Sequence, residues 1–493
     1  MSSLRDLLED LEDEQELNII EDEVDWNLEA AAICAMNQRT GGPAVQFNNV
    51  KGYPDGKLVG SLFTGPGFMW YPQVPRMMHG RIAMGLGLEK DIKYEEFQET
   101  IIERKKAPIR SIEVDEGPCH DVIIEANDVD LYKYPIPRLH EKDGGRYLTS
   151  HTVHVYDAES QTSNSGVYRL MLGGRNKLVH GSIPRRVSPT GIEKIVAKAA
   201  KKNEAVPFAI VIGSPPPVTA AGAMNLSSRT DEYAVAGGLG ANPVALVKAK
   251  LSDILVPVDA EMVLEGEIVP GATMEEGPFG SISYYTDKMR NFIYDVQLIT
   301  HQEGPILPFV AEGAKPSDSM CLLSALHSTE LLEYCRNNVF GSVINWVTLP
   351  VEAKLNLAIV CLGRQALPGF PGRIARAIYS QSPYVRKTIF VDPDVQAEEL
   401  SIALNDRVNK VKYEDNVFIS PMGKPLGLTE NHGFGGGDLS STMTVDATWR
   451  FDRPGETKAR RNTFEAAIPK DVRDRVVALW KRQGISPDPV VMD

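Results

Sequence analysis

Cysteine is scarce in this 493-residue chain and widely scattered, at Cys34, Cys119, Cys321, Cys335 and Cys361, with no CxxC pair. An odd, dispersed set excludes a disulfide framework and leaves buried thiols in a reducing compartment. Basic residues are the minority, 52 against 66 acidic, for a net charge of −14. That balance excludes nucleic acid and anionic membrane as main partners, because both reward a basic surface. A small anionic substrate remains open, since the local field outweighs net charge there. No run of about 18 apolar residues occurs, so no membrane-spanning helix is expected. The opening Met1-Ser2-Ser3-Leu4-Arg5-Asp6 lacks a secretory signal's basic-then-apolar order, and the expected location is the cytoplasm. GxSxG, HExxH and P-loop motifs are missing, which removes the usual support for hydrolase and nucleoside-triphosphatase readings. No internal repeat or low-complexity tract is present.

What remains is an ordinary globular composition, 43% hydrophobic and 24% charged, long enough for several domains. The first 25 residues hold eleven acidic groups against Arg5 alone. Among them Leu4, Leu7, Leu8 and Leu11 recur at helical spacing behind Ser2 or Ser3 as cap, which predicts an amphipathic helix. Ala44–Phe47 and Lys57–Gly60 read as strands and Tyr94–Lys106 as a helix, giving a first α/β domain over 1–115. Strand patterns dominate 116–315: Thr152–Tyr156, Pro207–Ile212, Val244–Lys250, Glu261–Ile268 and Asn291–Thr300. A helix capped by Thr190 with Glu193 three residues on interrupts them. Strands around one helix suggest a sheet or barrel closed on a site. A linker helix is expected within 316–340, with Leu322, Leu323, Leu326 and Leu331 as its stripe. Beyond it strands and helices alternate over 341–493 and end in a helix at Lys470–Gln483, a second α/β unit. The fold class is therefore α/β (α+β).

Some attractive motifs are weak. Gly433-Phe434-Gly435-Gly436-Gly437 follows no strand and opens no helix, so it reads as a loop. His151 and His154 could suit a metal but read as satisfied strand histidines. Four segments are richer in chemistry: Asn164-Ser165-Gly166-Val167-Tyr168-Arg169; Leu178-Val179-His180-Gly181; Asp231-Glu232-Tyr233 before small residues; and Glu275-Glu276-Gly277-Pro278-Phe279-Gly280. Each alone fits a structural role.

Taken in order, with Leu4-Arg5-Asp6-Leu7-Leu8, Asp130-Leu131 to Pro135-Ile136-Pro137, Asp143-Gly144-Gly145-Arg146-Tyr147-Leu148-Thr149 and Leu264-Glu265-Gly266, they resemble the UbiD family of prenylated-FMN-dependent decarboxylases over nearly the whole length. The resemblance implies a central split β-barrel that binds flavin, and a C-terminal domain that carries oligomerisation. It implies that Asn164, His180 and Glu232 hold a divalent ion, usually Mn2+, beside the flavin phosphate; two oxygens and an imidazole suit such an ion. It implies a K+ held by Ser165, Ala221, Gly222 and Met224, largely through backbone carbonyls. Gly166, Val167, Tyr168, Arg169, Val179, His180, Met224, Glu232 and Lys387 are the implied cofactor contacts, Lys387 reaching the phosphate.

The same resemblance makes Glu276 the proton donor and Arg169 its partner and the holder of the substrate carboxylate. A further glutamate of the family's Glu–Arg–Glu network is expected four residues upstream, where this chain has Ala272, and Glu275 stands where proline is usual. Either Glu275 or a more distant group substitutes, or the network is altered. The expected reaction is reversible non-oxidative decarboxylation of an aromatic, heteroaromatic or α,β-unsaturated acid. A UbiX-like flavin prenyltransferase would supply the cofactor, and the chain would form a homodimer or homohexamer. Two other readings stay open, a conventional flavin oxidoreductase and a noncatalytic flavin or metal carrier.

Overall fold

A computed structural model describes residues 3–67, 77–157, 162–181, 190–227, 230–282, 284–313, 316–338, 343–363, 369–382, 384–397, 400–422, 440–449, 462 and 467–484. The first helix, α1 (Leu4–Asp13), starts at a capping box in which the Ser3 hydroxyl accepts from the Asp6 N–H and the Asp6 carboxylate accepts from the Ser3 N–H. Its stripe of Leu4, Leu7, Leu8 and Leu11 is buried. Arg5 on the same helix forks onto Glu261 at 2.8 and 2.9 Å, tying the acidic leader to the centre of the molecule. The strands Ala44–Phe47 and Lys57–Gly60 pair as expected, and Tyr94–Lys106 is helical. Their sheet, which includes Leu17–Ile20, takes its fourth strand from far along the chain, Ile306–Pro308, which pairs in parallel with Lys57–Val59.

The central sheet has nine strands: β1 (Val122–Glu125), β2 (Tyr147–Leu148), β3 (His151–Asp157), β4 (Thr162–Gly166), β5 (Leu170–Gly174), β6 (Lys177–His180), β7 (Val206–Ile212), β8 (Met262–Glu276) and β9 (Met289–His301). Among the described residues pairing runs β2-β5-β6-β9-β8-β7-β3-β4, with β1 attached to β9, a path that does not close on itself, so the barrel is a split one. Inward residues from both halves of the path, among them Tyr147, Leu170, Leu178, Val153, Ile210 and Leu264, enter one apolar cluster. Burial of this shared face is what curls the sheet around a common core.

Three short helices are interleaved with these strands in the chain. Helix α2 (Gly191–Lys202) begins at the predicted Thr190–Glu193 capping box. Helix α3 (Pro216–Ala223) ends at Met224, and α4 (Glu232–Gly240) is capped by the Asp231 carboxylate on the Ala234 N–H. The long helix α5 (Asp318–Asn337) follows, burying Leu322, Leu326, Leu331 and Leu332. The last sheet orders Ile344–Thr348, Leu357–Leu362, Lys387–Val391, Ser440–Asp446 and Val417–Met422. Helix Phe370–Gln381 makes the parallel crossover between its second and third strands. All five cysteines are free and buried. No helix among the described residues is long and apolar enough to cross a membrane.

Candidate active site

Strand β4 delivers Asn164, Ser165 and Gly166 in antiparallel register with β3, Val155 opposite Asn164 and Val153 opposite Gly166. The chain then leaves the sheet through Val167 and Tyr168 and rejoins it at Leu170, so Arg169 is presented at the rim rather than within a strand. There the guanidinium meets Glu276, 107 residues later, in a two-point contact: Nε to Oε1 at 2.9 Å and Nη2 to Oε2 at 3.0 Å. Glu276 is fully buried and the Arg169 side chain is 11% exposed, so bulk solvent screens this pair weakly. The Tyr147 hydroxyl donates to Glu276 Oε1 at 3.1 Å, and burial beside that carboxylate pushes the phenol up. The Arg169 guanidinium lies 4.9 Å from the centre of the Phe279 ring.

Glu276 ends β8, where alternation decides which carboxylate faces inward. Glu275 is exposed and pairs with Lys288 at 2.7 Å, both side chains more than half exposed. It therefore does not stand in for a carboxylate missing at Ala272. Ala272 itself is half-buried on the same side as Met274, packed against the barrel cluster. The turn after Glu276 is held by the Asp143 segment. Asp143 Oδ1 accepts from the Gly280 N–H at 2.7 Å, and Gly144 donates to the Pro278 carbonyl. A Cβ on Gly144 would sit 2.2 Å from the Gly277 oxygen, so only glycine permits this approach. Two segments recognised separately in the sequence thus form one structural unit behind the acid.

Two of the three predicted metal ligands, Asn164 and His180, meet at Tyr168. Its hydroxyl donates to Asn164 Oδ1 at 3.3 Å and its ring centre is 5.0 Å from that of His180. His180 is buried, stacked on Phe292 with centroids 4.4 Å apart, and its Nδ1 contacts the Tyr294 hydroxyl at 3.0 Å. Glu232, the first residue of α4, accepts from the Ser165 N–H; desolvation raises its carboxyl above the ordinary range. Ala221 and Gly222 occupy the last turn of α3, whose carbonyl end carries partial negative charge.

A cavity of about 410 Å3 is lined by Ser165, Gly166, Val167, Tyr168, Arg169, His180, Gly222 and Met224 among others, but not by Asn164, Ala221, Glu232 or Glu276. Its far wall, from α5 and the C-terminal part of the chain, includes Met320, Leu323, His327, Leu355 and Tyr384. Val179 is fully buried in the barrel cluster and does not line the cavity. Nor does Lys387, the first residue of its strand in the last sheet. Family analogy would turn two segments toward the pocket, Lys315–Met320 and Asn431–Asp438. The first contributes Asp318, Ser319 and Met320 to the cavity wall from the start of α5. Lys315, Asn431–Asp438 and the Gly433–Gly437 segment lie outside the described residues.

Sequence reasoning singled out neither Tyr147, bonded to Glu276, nor Phe279 and the acid Asp318 on the cavity wall. Tyr147 lay in a quoted segment but nothing marked its contact with Glu276. His154 is satisfied, by the Thr152 hydroxyl and the Tyr233 hydroxyl, as expected. His151 is not: neither ring nitrogen has a hydrogen-bond partner among the described residues. Three further acids, Asp392, Asp394 and Asp406, cluster in the last domain, where Lys410 bridges Asp392 and Asp406 at 2.7 and 2.8 Å.

Two family models match the chain, the 3-octaprenyl-4-hydroxybenzoate carboxy-lyase N-terminal domain over 8–101 and its Rift-related domain over 110–315. The chain belongs to the UbiD family of carboxy-lyases. A Synechocystis relative known only as uncharacterized protein sll0936 is 30% identical, the match covering 98% of this chain and 96% of that one. Among solved UbiD-class structures, HmfF from Pelotomaculum thermopropionicum in complex with FMN shares 25% identity with a TM-score of 0.81, covering 96% of this chain and 99% of that one. The vanillic acid decarboxylase of Sedimentibacter hydroxybenzoicus, in open form, gives 25% and 0.81, covering 98% and 99%. The 3,4-dihydroxybenzoic acid decarboxylase of Klebsiella pneumoniae, at 20% identity and TM-score 0.81 over 96% and 99%, shares the fold.

Proposed function

We propose that the chain catalyses reversible, non-oxidative decarboxylation of an aromatic, heteroaromatic or α,β-unsaturated acid with prenylated FMN bound in the 410 Å3 cavity. The observation that carries this reading is the buried, two-point Arg169–Glu276 pair beside that cavity. An arginine fork is the group best shaped to receive a carboxylate. A substrate carboxylate on Arg169 draws the guanidinium from Glu276, which is then released to take up a proton and deliver it to the carbon that CO2 leaves. Tyr147 keeps Glu276 oriented through its 3.1 Å hydrogen bond during that exchange. Apolar wall residues, Phe279, Ile282, Leu323 and Leu355, suit an aromatic ring and exclude water from the developing negative charge. When bound, the prenylated flavin supplies the electron sink for the bonding pair left behind by CO2.

Asn164, His180 and Glu232 would hold a divalent ion, Mn2+ by preference, at the flavin phosphate. The donors fit: two oxygens, one imidazole and no thiolate, with a desolvated Glu232 carboxyl that a cation would stabilise as its anion. Ser165 and the carbonyls of Ala221, Gly222 and Met224 would hold K+, and Lys387 would approach the phosphate from the last domain. A UbiX-type prenyltransferase supplies the cofactor, and the last domain joins copies into a homodimer or homohexamer in the cytoplasm. The test is CO2 release from a panel of cinnamic, hydroxybenzoic and heteroaromatic acids, using protein co-produced with a flavin prenyltransferase. The expected result is turnover of one acid class. A flavin-loaded protein inert on the whole panel, in both directions, would favour a noncatalytic carrier.

A further inference from the structure

His151 opens β3 with its side chain 5% exposed, yet among the described residues neither of its ring nitrogens has a hydrogen-bond partner. Buried polar groups are almost always paired, and one left without a partner destabilises the fold. The neighbouring histidine on the same strand, His154, obeys the rule. The exception is therefore local to the position, and the position is the cavity wall: His151 borders the 410 Å3 cavity together with Leu62, Phe63 and Pro308.

Register says which part of the cavity it faces. Val153 lies opposite Gly166, and Val155 opposite Asn164. The register ends at that Val153–Gly166 pair, and the segment leaving β4 there carries Tyr168 and Arg169, which line the same cavity as His151. On its other side His151 pairs with Ile212 at the end of β7. Val153 and Val155 fill the barrel core, so His151 continues an inward stripe to the point where core becomes cavity. Burial, with help from nearby His180, pushes its imidazolium down to about 3, so the ring is neutral at physiological pH. A neutral imidazole offers one N–H and one lone pair. That pattern suits the mixed donors and acceptors of a flavin's pyrimidine edge or ribityl chain better than a phosphate dianion.

We propose that His151 is a direct hydrogen-bond partner of the bound flavin, made through the ring edge or ribityl hydroxyls. This rests on the flavin reading above. The test uses full-length apo-protein titrated with FMN in Mg2+ and K+, comparing wild type, His151→Leu and His151→Gln. His151→Leu should melt no lower than wild type without flavin, because it removes a buried polar group that has no partner. Its FMN affinity should fall about tenfold, the scale of one hydrogen bond with its desolvation. His151→Gln, which retains a donor and an acceptor, should recover most of that loss. In 15N-histidine spectra the His151 resonance, assigned by its absence in the leucine variant, should move with FMN and stay put with Mg2+ alone.

Wild-type FMN affinity in His151→Leu, together with a lower apo melting temperature, would make His151 a structural residue and overturn the proposal. A resonance that moves with Mg2+ alone would make it a metal ligand and overturn it as well. Wild type that takes up no flavin removes the flavin reading and this inference together, whereas wild type that binds flavin beside an unaffected His151→Leu removes the inference alone.

Discussion

Replacing Glu276 by glutamine changes one atom and exposes how the site is built. The carboxylate accepts from Arg169 at 2.9 and 3.0 Å and from Tyr147 at 3.1 Å, with no solvent exposure. Glutamine keeps one oxygen for one of the two guanidinium donors and turns an NH2 toward the other. The loss is one charge-assisted hydrogen bond, about 1.5–3 kcal/mol, together with the negative charge opposite a buried guanidinium. Breaking a buried pair outright costs about 3–5 kcal/mol, which sets the upper limit. We therefore expect Glu276→Gln to lower stability by about 2–4 kcal/mol while the fold survives. Decarboxylation should fall by about 10²–10⁴, the usual worth of a positioned general acid. Glu275→Gln removes a solvent-screened pair with Lys288 and should leave both quantities nearly unchanged. The assay is CO2 release and deuterium incorporation into product, alongside thermal melts of all three proteins. A dead Glu275→Gln beside an active Glu276→Gln would refute the assignment of the acid.

His180→Ala and Glu232→Ala should each empty the site of divalent metal and flavin together, measured by metal analysis and flavin absorbance; full flavin occupancy in either contradicts the ligand assignment. Produced in a host without a flavin prenyltransferase, the protein should carry plain FMN or none and release no CO2, and robust turnover there would show that it needs no such partner. Asp318, fully buried and held by the Phe63 N–H and the Thr64 hydroxyl, is pushed up by burial from 3.8 to about 6. Between those values the folded protein binds a proton that the unfolded chain does not. Asp318 therefore favours folding below pH 3.8 and loses that contribution, about 3 kcal/mol, as pH rises through 6. Asp318→Asn, which retains the accepting oxygen, should melt higher than wild type at pH 8, and the advantage should shrink by pH 5; an advantage independent of pH would assign the effect to packing.

Much of this arrangement was legible where one local signal dominated. The Leu4–Leu11 stripe, the Thr190–Glu193 box and the acid–apolar–basic order of Tyr94–Lys106 each specify a helix without help from the rest of the chain. The Asn164, His180, Glu232 and Glu276 segments stood out as polar residues among small ones, but each alone fitted a structural role, and only their order along the chain, through the resemblance to the UbiD family, pointed to a shared site. Other features depended on distant contacts. Helix α4 holds glycines at 237, 238 and 240, poor helix formers, and propensity alone argues against it. It forms because Gly237 and Gly238 pack against the backbone of Ile109 and Arg104, where a Cβ would come within 2.5 and 2.6 Å of carbonyl oxygens. Strand β8 runs 15 residues, but Pro270 and Gly271 break its alternation where the register against β9 shifts, so the sequence suggested a shorter strand. His151 looked like an ordinary strand histidine because nothing in its neighbours shows that the apolar core ends there.

In the proposed reaction a carboxylate bound at Arg169 loses CO2 and receives its proton from Glu276. This is tested most directly by running the turnover of the accepted acid in D2O with flavin-loaded wild type and Glu276→Gln, following product by NMR. We expect product carrying one deuterium at the carbon that bore the carboxylate, formed by wild type at least about 10²-fold faster than by the variant. Equal rates and equal deuterium incorporation in the two proteins, at equal flavin occupancy, would contradict the proposal.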